Sequence, residues 1–478
     1  MTSHGPDAVE DPADAPLGRD FRLLLGAGTI SNVGDGVDST ALPLLAAALT
    51  RDPALFAGVA VASRVPWLLF ALQAGALADR LDRRRLMVLT NLVRAALLTL
   101  LGVAVLGDVA TIWLLYGVAF GLGCAEVLFD TSAQALLPRV VRREQLERAN
   151  GMQMGMELVA NNFVGPPLGG LLFSVAAALP LLLDAGTFAV SAGLLALVSV
   201  QVGRAAVRPG QASPADAGPT AEPASEPTGT GSPDPGPPTD GTLTAGRAGP
   251  DAGASDAGAS DPGASGRIRD EVREGLEWLR GNRLLWTLAV LLGLMNGTAM
   301  LGQAVFALYA LEVLGITELQ FGFLLTAAAL GSVGGSLLAS RLVRRVGRGV
   351  ALWATLLAAV VVPAVQGLTS SALVVAATAV VFGFSAVVWN VITVSLRQAV
   401  IPDHLLGRVN AVYRFLGWGS MPLGAALGGL VARYAGLRAP FLLAAAIMAV
   451  GLLYGRRQIT SEAIEAARAA AGQHDAPQ

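Results

Sequence analysis

The sequence predicts an all-α integral membrane protein of twelve transmembrane helices in two six-helix bundles. Three observations carry that expectation. Twelve apolar stretches are each long enough to cross about 30 Å of hydrocarbon, which takes ~20 residues at ~1.5 Å per helical residue. They fall six and six about a hydrophilic gap at 204–266 that is rich in Pro, Gly, Ala and Asp. Composition agrees, with 53% hydrophobic and 14% charged residues, where soluble domains carry about 25% charged.

Residues 1–20 form an acidic tail rich in Pro and Asp. It lacks the basic start and cleavage pattern of a secretory signal, so the first span is expected to act as its own insertion signal. The N-terminal bundle, 21–203, holds spans at 21–49, 55–78, 86–106, 111–137, 149–178 and 180–202. Most of these lack the polar face that a soluble helix of that length would need. The gap at 204–266 has almost no large apolar residue and cannot bury enough surface to offset its chain entropy, so it is read as a disordered cytoplasmic linker. At 267–282, Ile268, Val272, Leu276 and Leu279 recur at helical spacing among Arg267, Arg269, Arg273 and Arg280. That pattern predicts an amphipathic helix lying at the interface. The C-terminal bundle, 283–455, holds spans at 283–311, 319–340, 350–368, 372–398, 409–434 and 439–454, and a tail at 456–478 follows.

The chain contains no lysine, so its 33 basic residues are all arginine, and their placement sets the orientation. Clusters recur on alternate loops: Arg80, Arg83, Arg84 and Arg85; Arg139, Arg142, Arg143 and Arg148; Arg341, Arg344, Arg345 and Arg348; Arg456 and Arg457. The opposite loops carry Arg51, Arg433 and Arg438. By the positive-inside rule both termini and the linker are expected on the cytoplasmic side.

The two halves repeat at a shift of about 260 residues, as in transporters built from parallel repeats. Arg148, Asn150 and Gly169-Gly170 are echoed by Arg408, Asn410 and Gly428-Gly429. The loop around Arg80-Leu81 and Arg83-Arg84 is echoed around Arg341-Leu342 and Arg344-Arg345. Two similar bundles can rock about a central site and expose it alternately to each side.

Ionisable residues inside the spans are costly and mark a pathway, a relay or a buried pair. Asn32, Asp35 and Ser39 share one face of the first span, with Asp38 beside them. Arg64 in the second span lies at a depth similar to Asp38, so an ion pair between them is geometrically reasonable. Two readings stay open: carboxylates that take a proton from one side and release it to the other, or a static pair that ties the two spans together. A second group lies nearer the cytoplasm, formed by Arg94 in the third span with Glu126 and Asp130 one turn apart in the fourth. Glu126 is read as a relay or a partner of Arg94, and Glu157 and Asp184 have no assigned role.

In the second half, Asn296, Gln303, Trp389, Asn390 and Tyr413 are expected, with Asn32, to line a cavity for an amphipathic organic molecule. Trp418 reads equally well as an interfacial anchor. The single cysteine, Cys124, excludes an intramolecular disulfide and a cysteine metal site. No Gly-x-x-x-x-Gly-Lys-Ser/Thr phosphate loop and no nucleophile and base constellation is present, so neither ATP drive within the chain nor enzymatic chemistry is expected. His4, His404 and His474 all fall outside the spans. No cofactor, metal or nucleic-acid partner is expected. The expected partners are a small-molecule substrate, protons and the lipid bilayer, with the chain acting as a monomer.

The run from Gly75 through Asp79, Arg80, Asp82, Arg83 and Arg84 to Arg85 resembles the signature loop of the major facilitator superfamily. Gly165-Pro166-Pro167-Leu168-Gly169-Gly170 resembles the Gly-Pro-x-x-Gly-Gly motif of its antiporters. With the twelve spans, the gap and the repeat, the resemblance covers nearly the whole chain apart from tails and linker. The runs Ser31-Asn32-Val33-Gly34-Asp35-Gly36 and Phe129-Asp130 through Leu137-Pro138 are similar to bacterial exporters of the enterobactin-exporter and macrolide-efflux type.

The resemblance implies an exporter of a drug, antibiotic or siderophore-like molecule in the bacterial inner membrane, working by alternating access with proton antiport. Alternatives are a proton-coupled importer or facilitator, and a non-transporting sensor or scaffold. It also implies that Asp79, Arg83 and Asp130 form a conformational latch, with Gly75, Arg80 and Arg84 in its loop and Asp79 facing the start of the eleventh span. Two departures stand out. Asp82 replaces the motif's second glycine, so the turn must be made differently. Val118 stands where many drug/proton antiporters carry an arginine, so coupling through that residue is not implied.

Overall fold

The computed structural model describes residues 16–199, 264–456, 458 and 459. The linker predicted at 204–266 lies outside the described residues up to Ala264, as does nearly all of both tails. One compact unit, Met1–Val200 with Ile268–Gln478, contains every span, and the other is Gln201–Arg267.

The first four spans are α1 (Arg19–Leu49), α2 (Pro53–Arg80), α3 (Arg83–Leu106) and α4 (Ile112–Val140). The fifth is composite: α5 (Leu146–Glu157), a π-helical stretch (Leu158–Val164) and α6 (Gly165–Val175). Pro166 and Pro167 explain the widening, because neither can donate to the preceding turn and their rings crowd its carbonyls. The sixth span is α7 (Ala178–Ala196). After α8 (Ala264–Gly281), the seventh span is α9 (Arg283–Gln303) continued by α10 (Phe306–Glu312). The rest are α11 (Glu318–Val346), α12 (Arg348–Leu368), α13 (Ala372–Val400), α14 (Asp403–Ala435) and α15 (Ala439–Gly455). Ten of these runs are long and apolar enough to cross a membrane. The more polar α1, which carries Asn32, Asp35 and Asp38, and the 17-residue α15 complete the twelve. Helices satisfy their own backbone hydrogen bonds, which the hydrocarbon cannot do for them.

The turns are closed by side chains. Asp82, the residue that replaces a motif glycine, is the N-cap of α3 and accepts from the Arg85 amide at 3.0 Å. The turn is thus made by capping rather than by glycine's conformational freedom. Asn282 accepts from Leu285 N at the start of α9, and Thr317 with Gln320 forms a reciprocal capping box on α11. Each such cap is worth about 1 kcal/mol.

Helix neighbours repeat between the halves. In the first, α1 packs on α6 and α7, α2 on α4, and α3 on α4 and α7. In the second, α9 packs on α14 and α15, α11 on α13, and α12 on α13 and α15. Substituting each span by its repeat converts one set of neighbours into the other. The bundles meet along two equivalent seams, α2 with α14 and α6 with α11. Large apolar side chains such as Leu100, Val103, Phe323, Leu330, Leu337, Leu373 and Val450 point outward. An exposed apolar perimeter is what a lipid-facing surface requires.

The predicted amphipathic helix differs in its environment. Leu279 of α8 is wholly buried with Leu284 and Leu285, and Leu276 and Trp278 pack on the same core. Glu274 takes Arg408 of α14 at 2.5 Å. Over its described part the apolar face of α8 is covered by protein, packed on residues of α9 and α14 such as Leu285 and Val409.

Candidate functional site

A cavity of about 890 Å³ runs between the helices of the N-terminal bundle and reaches Met300, Gln303 and Ala304 at the end of α9. Asn150, Gln153 and Met154 of α5 and Leu137 of α4 line its wall near the arginine-rich loops, and it opens toward that face. Toward the other face the bundles are held together. Arg51 pairs with Glu312 at 3.0 Å, and Arg433 pairs with Asp52 at 3.4 Å. Ala57 packs with Ala304, Val305, Ala425 and Ala432 beneath these pairs.

The seam between α6 and α11 is built on missing side chains. A Cβ on Gly170 would collide with the Glu318 backbone, and one on Gly322 with Pro166. Gly165 meets Gly36 of α1 in the same way, and Thr40 donates to the Pro166 carbonyl at 3.2 Å. Gly165, Pro166, Gly169 and Gly170 therefore join α6 to α1 on one side and to the other bundle on the opposite side. Small residues let helix backbones approach closely where apolar area alone gives no drive to associate.

The polar residues converge on α1. Arg94 is 3% exposed, with its guanidinium 5.0 Å from the Phe188 ring and 5.2 Å from the Phe129 ring. Its nearest carboxylate is Asp35, with Nη1 3.9 Å from Oδ1. Ring faces offset part of the cost of enclosing the cation. The Asp35 side chain is 39% exposed and faces the cavity, as do Asn32, Ser39, Glu126 and Asp130. Arg94 thus joins what the sequence presented as two separate groups.

The expected Arg64 to Asp38 pair is not made. Arg64 is exposed on the cavity wall, and among the described residues Asp38 forms no ion pair with it. The reason is placement: α2 packs chiefly on α4 and α14, which leaves Arg64 away from the α1 face that carries Asp38. Glu157, unassigned from the sequence, also lines the cavity, while Asp184 is wholly enclosed. Gln134 and Gln153 are further lining residues with no sequence signal, because a polar residue near a span end looks like any loop-proximal one.

The expected substrate-cavity residues divide. Asn32 and Gln303 line the main cavity. Asn296, Trp389 and Asn390 line a smaller one of about 340 Å³ in the C-terminal bundle. Tyr413 lines neither cavity: it is 2% exposed, donates to the Leu285 carbonyl at 2.5 Å and lies under Arg397, whose guanidinium is 4.6 Å from its ring. In the predicted latch, α2 runs through Gly75, Asp79 and Arg80, whose side chains lie outside the described residues. Arg84 donates to the carbonyls of Val198 at 2.7 Å and Ala196 at 3.3 Å, at the end of α7.

Comparison with known proteins agrees with this architecture. The chain is 26% identical over 441 residues to the multidrug efflux pump Tap of Mycolicibacterium fortuitum, covering 88% of this chain and 91% of that protein. Its fold is similar to that of the nucleoside transporter NupG, with a TM-score of 0.63 at 10% identity over 92% of this chain and all of that one. It is also similar to a bacterial homologue of the iron transporter ferroportin in an inward-facing state, with a TM-score of 0.61 at 16% identity over 91% and 98% of the two chains. The family model of the Major Facilitator Superfamily matches residues 24–425. With the repeated bundles and the cavity between helices, that match shows that this multi-pass membrane protein belongs to the Major Facilitator Superfamily of transporters.

Proposed function

We propose that this chain exports a small amphipathic organic molecule from the cytoplasm by proton antiport, through alternating access of its cavity. The observation that carries the reading is Asp35: a half-exposed carboxylate, loosely paired with a buried Arg94, in the wall of a cavity open toward the arginine-rich face. By the positive-inside rule that face is cytoplasmic, so the conformer is inward-open and the opposite face is the closed gate. Asp35 can exchange a proton with the cavity, and its charge state sets how strongly Arg94 is held. Acidic lining at Asp35, Glu126, Asp130 and Glu157 beside apolar wall residues such as Phe56, Leu122 and Phe129 suits an amphipathic molecule with a cationic or hydrogen-donating end. The similarity to a protein named as a multidrug efflux pump, over most of both chains, supports export of that class. The latch loop is proposed to stabilise one conformer, with Arg84 anchoring it to α7.

Inverted membrane vesicles with an acidic lumen test the reading. Lipophilic antibiotics and siderophores offered outside should be accumulated, and accumulation should vanish with a protonophore or in Asp35→Asn. Accumulation that survives collapse of the gradient would exclude antiport. Failure of the whole panel to bind or move would favour the scaffold alternative.

A further inference from the structure

Asp184 sits in the middle of α7, is 0% exposed and does not line the cavity. Its carboxyl rests on the bare backbone of Gly34: a Cβ there would collide with Asp184 Oδ1 and stand 2.7 Å from its Cγ. Thr187 Oγ1 donates to Asp184 Oδ1 at 2.7 Å. Gly34 and Asp38 are one turn apart on the same face of α1, so the carboxyl seated on Gly34 lies beside that of Asp38. Asp38 is 8% exposed and borders the cavity. Yet Asp38 Oδ1 and Asp184 Oδ2 are both buried without a hydrogen-bond partner.

Two ionised carboxylates cannot hold this arrangement. Both are acceptors only, and like charges this close in a poorly screened site repel. A single proton resolves both defects, because it removes one charge and supplies the missing donor. The charged groups around the pair leave that conclusion standing. Arg94 of α3 is the nearby cation, and it is engaged with Asp35. Glu126 and Asp130 of α4 and Glu157 of α5 add negative charge to the cavity wall, Arg64 of α2 is exposed there, and neither α6 nor the π-helical stretch carries an ionisable residue.

We propose that Asp38 and Asp184 form a shared-proton carboxyl pair, a proton-binding site between α1 and α7 that is filled and emptied through the cavity face of Asp38. The proposal rests on the proton-exchange reading above and adds where a proton is held and which residue completes the site. Loss of the proton leaves two like charges face to face between α1 and α7, so the empty site favours a conformer in which the helices separate or water enters. Asp184 is thereby placed to link proton release to movement of α1.

Infrared titration of the purified full-length protein reads the pair without any substrate. Wild type should show the carbonyl stretch of a protonated, buried carboxyl that disappears on alkaline titration. Asp38→Asn and Asp184→Asn should each abolish it, and Asp35→Asn should retain it. Gly34→Ala keeps both acids but displaces Asp184, and should abolish it too. In proteoliposomes Asp184→Asn should lose proton-driven accumulation to the level of empty liposomes while still exchanging substrate downhill. Absence of the band in wild type, its persistence in both Asp38→Asn and Asp184→Asn, or wild-type accumulation by Asp184→Asn would overturn the proposal. A protein that shows the band but moves no compound against protons would instead overturn the export reading.

Discussion

Arg94 lies between two phenyl rings and reaches Asp35 at 3.9 Å, so its removal strips the cavity of its enclosed cation. Arg94→Ala is expected to lower thermal stability by about 1–3 kcal/mol, less than the ~3–5 kcal/mol of a fully buried pair because Asp35 is 39% exposed. It should also abolish proton-driven flux, and a melting curve with a flux assay on one preparation checks both. Tyr413→Phe separates the core from the site. Losing the donor to the Leu285 carbonyl should cost about 1 kcal/mol and leave the KM for substrate unchanged; a shifted KM would return Tyr413 to the cavity. At this scale the sequence is only partly legible. Helical periodicity puts Asn32, Asp35 and Ser39 on one face, but it cannot say which neighbouring helix that face meets. The sequence alone therefore groups Arg94 with Glu126 rather than Asp35, and offers no partner to Asp184, 146 residues beyond Asp38.

The fifth span shows how an element can be both legible and incomplete. Gly165, Gly169 and Gly170 leave little side-chain bulk and paired prolines bend a helix, so close packing and a bend are legible in its sequence, whereas the π-helical stretch Leu158–Val164 and the choice of α1 and α11 as partners emerge only from the assembled bundles. Gly170→Leu places a side chain where the Glu318 backbone passes, which should disfavour the closed gate by about 1–3 kcal/mol. Cysteine labelling from outside, at positions flanking the α6 and α11 seam, should rise; unchanged labelling would mean the seam does not govern the gate. Asp82→Ala removes the cap on α3 and should lower stability by about 1 kcal/mol in thermal melts. The spans themselves were readable because hydrocarbon thickness sets a minimum apolar length that few other structures satisfy. The docking of α8 was not, since an amphipathic pattern specifies an apolar partner without saying whether it is lipid or protein.

Across the molecule, the two bundles share their helix neighbours and meet along two equivalent seams, which is the geometry a rocking mechanism needs. Opposite the arginine-rich face, where the closed gate is proposed, the bundles are held together partly by Arg51 with Glu312 and Arg433 with Asp52. Exposed pairs contribute ~0.2–1 kcal/mol each, so Arg51→Ala with Arg433→Ala should shift the conformer ratio a few-fold toward the outward-open form. Distances between spin labels across that face would register the shift, and Asp52 is left in place because it also caps α2. The most direct test of proton-coupled export is to record substrate and lumenal pH together in proteoliposomes bearing wild type or Asp35→Asn. Opposed movement of substrate and protons in wild type, with both lost in the variant, is the predicted result; movement in the same direction, or an unaltered proton signal in Asp35→Asn, would contradict it.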